Sequence, residues 1–333
     1  MRKRSLLSLL GIVLLALLPL SNIETHEPYA YHILILVLLW GSIYTAWSLM
    51  GKYGFVSLGH GAFLGVAVYT VTLLWNYLHL TPWLGMPIAL GLCVVLAVLI
   101  GYPCFRLRVV GHYFALVTLA LGEVVRLTII AARDYTGGSL GITPARVQPP
   151  TPVSWYALQF ADRDYFYFLA LALWLLTLGV WRWVSRSMSD SALNAISEDE
   201  VAAASLGIHV TGEKLRITLI SAVMTGLGGI LFAQYNMYLN PETLAGVGVS
   251  LEIVFAAIAG GMYVALGPTV GALLTISLRE YLRVLFGTQF IGAANTIYGI
   301  LLIIFIIFMP QGILGTLLAW WRRRFGTAPQ PQA

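Results

Sequence analysis

Few residues in this chain could do chemistry, and none is spaced for catalysis. Six histidines are scattered without metal-ligand spacing. Cys93 and Cys104 fall in or beside one apolar run and read as buried small apolar groups, not a disulfide framework or a metal set. The chain has no G-x-x-x-x-G-K-[ST] phosphate loop, no HExxH and no CxxC. What remains is polar groups in apolar surroundings. Ser57 and His60 lie in YGFVSLGHGAFLGVAVYT, residues 53–70, a run dense in glycine. Small residues let helices approach closely, and glycine permits a helix break. At membrane depth a break survives only against protein or a cavity. Ser57, Gly59, His60 and Gly61 are therefore candidates for lining a pathway, with a tightly packed, hydrogen-bonded histidine as the alternative. Glu123 and Arg126 are three apart and share a helix face. A charge at the bilayer centre costs about 2.5–3.5 kcal/mol, so the two should pair or face protein or water.

A third polar group is an island, residues 185–214, with long apolar runs on both sides. Ser197 stands three residues before Glu200, the spacing of a capping box. Glu198, Asp199 and Glu200 would put negative charge on a helix first turn, where the dipole favours it. Gly207 stands where a left-handed residue would end that helix. The expectation is a short helix over about 198–206, with Ala202, Ala203 and Ser205 as a small-residue face. A helix this short is marginal alone and must pack on something.

The elements that position these residues are membrane spans. Hydrophobic residues are 59% of the 333 and charged residues only 10%, against about 25% charged in soluble domains. Apolar runs of about 20 residues repeat along the chain, and the period-two alternation of a membrane barrel is absent. The reading is an all-α, polytopic membrane protein of about ten spans, with eight to ten admissible. Residues 1–30 hold an uncleaved first helix and a short outer loop, 31–315 the transmembrane domain, and 316–333 a basic tail. Ten spans place Lys52, Arg106, Arg108, Arg182, Lys214 and the terminal basic clusters on one side, which the positive-inside rule makes cytoplasmic along with both termini. The island then faces the cytoplasm. TGGS at 136–139 and Pro149, Pro150 and Pro152 mark the main outer loop as irregular. Gly137, Gly138 and Ser139, like Glu123 and Arg126, fit structural or outer-face roles. The net charge of +5 is no nucleic-acid signal, because the basic residues flank spans.

The stretches YGFVSLGHGAFLGVAVYT (53–70), GHYFALVTLALGEVVRL (111–127), TGGSLGI (136–142), AISEDEVAAASLGIHVTGEKLR (195–216), GGMYVALGPTVGALL (260–274) and PQGILG (310–315) occur in one order. In this the chain resembles the LivM-type permease subunit of branched-chain amino acid ABC importers, within the LivH/LivM permease family. The resemblance implies a multi-pass protein of the cell inner (plasma) membrane. It implies a homologous LivH-type permease partner, two cytoplasmic ABC ATPases that bind the ATP and magnesium, and a periplasmic or extracellular solute-binding protein. This chain itself would hold no cofactor and be no enzyme. Ala202, Ala203 and Gly207 match the A-A-x-x-x-G part of the ABC-permease coupling pattern; Val201 stands where that pattern has glutamate, and Glu200 lies one residue earlier. Ser197, Glu198, Glu200, Ala202, Ala203 and Gly207 are thus implied to couple the membrane part to the ATPases. Tyr263 stands where the family often has a small residue.

The implied mechanism is alternating access, in which ATPase closure moves the short helix and the spans follow. Leucine, isoleucine and valine are the implied solutes. Urea, short amides and other amino acids are alternatives within the family. An ion-coupled secondary transporter is the reading outside it and would show inverted repeats. A membrane-embedded enzyme would need a convergent catalytic set that the sequence lacks.

Overall fold

The computed structural model describes residues 28–147, 153–286, 296–297, 299–301, 304 and 312–325. The expected first helix at 1–20, most of the tenth span at about 290–309, the proline run of the outer loop and the end of the tail lie outside them.

The described chain is helical almost throughout. Four long helices come first: α1 (Pro28–Gly51), α2 (His60–Leu78), α3 (Pro82–Arg106) and α4 (His112–Ala131). A loop carries one helical turn (Arg133–Thr136) and a two-stranded hairpin pairing Val153–Ser154 with Gln159–Phe160. Then follow α5 (Arg163–Val184), the island helices α6 (Met188–Glu198) and α7 (Glu200–Ser205), and the long α8 (Val210–Asn236). Short α9 (Pro241–Leu244) leads into α10 (Val247–Gly260), α11 (Gly267–Phe286) and α12 (Gly312–Phe325). Among the described residues, seven segments are long and apolar enough to cross a membrane: α1 to α5, α8, and α9 with α10 taken together. Helix α8 begins at Val210, inside the expected island of 185–214, because Lys214 and Arg216 are held within its first turns by Glu200 and Ser189.

Helix α1 is apolar on every face, so it belongs at the centre. It packs against α5, α8, α10 and α11, and 83% of its most apolar stretch is buried. Helix α3 is the opposite case. Its buried positions are small (Ala89, Cys93, Ala97, Gly101), both cysteines are free and buried, and its other face is open. Small residues also set the tight turn between α10 and α11. A Cβ on Gly271 would stand 2.0 Å from the Ala256 carbonyl oxygen, so the two backbones touch. Tyr263 points out of that turn, 59% exposed, and leaves the close packing to the glycines.

Two interruptions meet in the core. Between α1 and α2 the chain runs without helix through Phe55–Gly59, and between α9 and α10 it breaks at Ala245–Gly246. The Gly61 amide donates to Ser250 Oγ at 3.1 Å, and a Cβ on Gly61 would lie 2.7 Å from that same oxygen. Only glycine permits this contact between the two broken elements.

Candidate functional site

The first interruption is clamped by its neighbours. Trp47 Nε1 donates to the Ser57 carbonyl at 2.8 Å, and the Leu58 amide to Thr118 Oγ1 at 3.0 Å. Thr118 lies six residues into α4, about 9 Å of helix at 1.5 Å per residue, so the non-helical segment packs well inside the end of that helix. His60 then opens α2, fully buried, with Nε2 2.8 Å from Ser221 Oγ. Ser221 gives its one hydroxyl proton to the Ala46 carbonyl at 2.7 Å. It must therefore accept from His60, which fixes the proton on Nε2. Nδ1 is left an acceptor with no partner among the described residues. Ser57, Gly59, His60 and Gly61 are all close-packed here. The cavity beside Ser57 and Gly59 is about 10 Å³, at the lower limit for one water.

The second polar group is structural in its contacts. Arg126 Nε donates to Glu123 Oε2 at 3.0 Å, and the same guanidinium reaches Glu242 on α9. Next to it, the backbones of Ile142 and Leu239 exchange hydrogen bonds at 2.9 Å. The Gly138 amide donates to Thr136 Oγ1 at 3.1 Å, and Asn240 Nδ2 to the Ser139 carbonyl at 3.3 Å. Gly137 ends the preceding helical turn in a left-handed conformation. Glu123, Arg126 and residues 136–142 together hold the end of α4 to the turn before α9.

The island is two helices, not one, and its cap differs from the expectation. Ser197 is no N-cap: its Oγ donates to the Asn194 carbonyl at 2.7 Å, inside the last turn of α6. Glu198 ends α6 and does not begin the next helix. Asp199, in extended backbone, caps α7 by accepting from the Val201 amide at 2.8 Å and the Ala202 amide at 3.0 Å. Aspartate caps as well as serine, and here one carboxylate serves two amides where Ser197 would serve one. These bonds hold the Asp199 carboxyl below its ordinary range. Gly207 does close the helix, with φ +84°. Asp199→Ala should therefore speed amide exchange at Val201 and Ala202, and Ser197→Ala should leave it unchanged; hydrogen exchange read by mass spectrometry checks both.

Ala203 is buried among Cys104, Phe105, Phe114 and Ile196, and Ala202 is exposed. The expected small-residue face is thus divided between core and solvent. Two polar anchors tie the island to the spans. On α6, Asp190 accepts from Lys52 Nζ at 3.0 Å and from the Tyr53 hydroxyl at 2.5 Å. On α7, Glu200 pairs at 2.6 Å with Lys214 of α8, whose ammonium also lies over the Phe55 and Phe105 rings. Turned the other way are Met188 (86% exposed), Val201 (60%) and Leu206 (81%). Sequence reading missed Asp190, Lys52, Tyr53 and Lys214. Their partners on the other element are 14 to 138 residues away, beyond any local spacing rule.

Burial alone would raise the Asp190 pKa. Hydrogen bonds from Tyr53 and Lys52, with the charge of Lys52, outweigh it and hold the carboxyl below its ordinary value. Tyr53 is pushed upward by burial and then by its bond to Asp190. A depressed carboxylate contributes stability above its unfolded-state pKa of 3.8 and loses it as pH falls through the lower folded value. The α6 anchor should therefore hold at neutral pH and release below about pH 4. Faster exchange across 188–198 at acid pH, absent in Asp190→Asn because that variant is already released, checks this.

Spans packed around a sequestered central helix, interrupted helices meeting in the core and a helical island anchored at one end define a polytopic all-α membrane protein. Comparison with known proteins gives the family. Residues 31–309 match the family described as "Branched-chain amino acid transport system / permease component", and the chain belongs to it. It is 30% identical over 306 residues to the "High-affinity branched-chain amino acid transport system permease protein LivM" of Escherichia coli K12. The protein of the same name from Salmonella typhimurium LT2 is 31% identical over 307 residues. Both alignments cover 85% of this chain and 69% of the relative. No solved structure matches.

Proposed function

We propose that this chain is a membrane subunit of an ATP-binding-cassette importer that carries leucine, isoleucine and valine across the inner membrane. A homologous LivH-type permease completes the pathway. Two cytoplasmic ATPases bind ATP and magnesium and supply the energy, and a solute-binding protein delivers the solute from outside. The observation that carries this reading is the island. It is a short capped helix in a family member of transport systems, anchored to two spans by ion pairs, with Val201 and Leu206 left bare for a partner. A push on α7 passes through Glu200 to Lys214 and the Phe55 ring, hence to the interrupted segment before His60. The Ser197, Glu198, Glu200, Ala202, Ala203 and Gly207 group couples the membrane part to the ATPases, with Asp199 as its cap, Ala202 and Gly207 at its surface and Ala203 packed inside. The island side is the cytoplasmic side.

The test is uptake of labelled leucine, with urea in parallel, by proteoliposomes holding the chain with its co-purifying partners, ATP on the ATPase side and binding protein on the other. ATP-dependent leucine accumulation is expected. Urea accumulation would keep the mechanism and change the solute, and uptake driven by an ion gradient without ATP would overturn the reading.

A further inference from the structure

On the island side, the inner end of α3 opens into a cavity of about 320 Å³. Arg106 and Arg108 line it from α3 and the residues just after it; His209 and Thr211 line it from the start of α8. Neither guanidinium has a hydrogen-bond or ion-pair partner among the described residues. Arg108 keeps a left-handed backbone, φ +55°, a conformation costly for a residue with a side chain. His209 adds a directed donor. Its Nδ1 accepts the Gly212 amide at 3.0 Å, which leaves Nε2 to carry the proton and to point away from its own helix. The one carboxylate of the lining, Glu200, is already paired with Lys214. The cavity thus gathers donors and positive charge without an anion to meet them.

A second feature says what kind of anion. Ile88, Leu92, Val95, Leu99 and Tyr102 are all between 45% and 64% exposed. They follow one another at alternating steps of four and three, which is one face of a helix. The next step along that face is Arg106. Apolar surface on a spanning helix faces hydrocarbon, and this strip runs without interruption into the basic cavity. A free phosphate or nucleotide would use the cavity and leave the strip unexplained. A phospholipid uses both.

We propose that the cavity between the inner end of α3 and the start of α8 binds the phosphate headgroup of an anionic phospholipid, whose acyl chains lie along the exposed face of α3. Bound there, the headgroup ties Arg106 and Arg108 to the residues that join α7 to α8, so it bears on the island beside the Glu200–Lys214 anchor, whose carboxylate lines the same cavity. The leaflet concerned is the cytoplasmic one, which rests on the orientation proposed above; the binding itself does not, and it is tested without transport.

The experiment uses the purified assembly in nanodiscs of phosphatidylcholine with increasing phosphatidylglycerol, and native mass spectrometry to count retained phosphatidylglycerol. Each cation near an anionic headgroup is worth about 1 kcal/mol, so Arg106→Gln with Arg108→Gln should weaken retention by about 30-fold. Arg182→Gln, which removes another exposed cation at the same end of the molecule, should leave it unchanged. Both arginines are exposed and unpartnered, so thermal unfolding of the double variant should match the parent. Equal loss in Arg182→Gln would mean only diffuse surface attraction and would overturn the site. Undiminished retention in the double variant would also overturn it. Saturation by inorganic phosphate, with displacement of the lipid at millimolar concentration, would make it a free-anion site and refute the lipid.

Discussion

Lys214→Met should uncouple ATP hydrolysis from transport while the assembly still forms. Lys214 is 2% exposed, and its ammonium has Glu200 Oε2 at 2.6 Å and two aromatic faces around it. Methionine keeps most of the stem volume and removes the charge. Glu200 is then left partly buried against Phe55 and Phe105 with no cation. Breaking one side of a buried pair typically costs about 3–5 kcal/mol; the 20% exposure of Glu200 lets its carboxylate turn outward and places the expected loss near the lower end, about 3 kcal/mol. The double variant Lys214→Met with Glu200→Gln removes the orphaned charge and should recover most of that stability. It should not recover uptake, because the link between α7 and the segment before His60 stays cut. Thermal unfolding and ATP-driven uptake, measured on the single and double variants, separate the two contributions. Recovery of uptake along with stability would show that the pair only stabilises and does not transmit.

Gly271→Ala should abolish the folded protein. The added methyl would sit 2.0 Å from the Ala256 carbonyl oxygen and 3.3 Å from the Gly260 amide nitrogen. Both obstacles are backbone, so no side chain can turn aside, and α10 and α11 must separate. Overpacking that side chains can absorb costs about 1–3 kcal/mol, and this site should exceed it. Gly91→Ala is the control. Gly91 lies inside α3 with open space where its Cβ would go, and alanine there should gain about 0.5–1 kcal/mol through helix propensity. The yield of monodisperse protein from membranes reads both. A well-folded Gly271→Ala would mean that the close approach of α10 and α11 is not needed.

Much of the architecture was legible because lipid imposes a simple rule. A run near 20 apolar residues bounded by charge is a span, and α1 to α5 appear almost where that rule puts them. The Gly207 stop was legible because positive φ has few solutions. The start of α7 was not, because Ser197, Glu198, Asp199 and Glu200 offer overlapping caps, and only the course of α6 decides that Asp199 is free to take the role. His60 was found by its glycine surroundings, but its partner Ser221 lies 161 residues on. The anchors of the island were invisible for the same reason. Asp190 and Lys214 look like ordinary solvated charges until the fold sets Tyr53 and Phe55 beside them.

The sequestration of α1 bears on how the protein is made. This helix leaves the ribosome before any of the others described, yet α5, α8, α10 and α11, which enclose it, begin between Arg163 and Gly267. For most of synthesis it must stand in lipid without the helices that later enclose it. It is built for that wait. Ser42 donates to the Leu38 carbonyl, Thr45 to that of Gly41 and Ser48 to that of Thr45, so these three aliphatic hydroxyls are silenced within the helix. Its indole donor at Trp47 is served by Ser57, ten residues later. The partners of its Tyr31 and Tyr44 hydroxyls, Asp164 and Glu252, arrive only with α5 and α10, so enclosure of this helix and satisfaction of its last polar groups are one event.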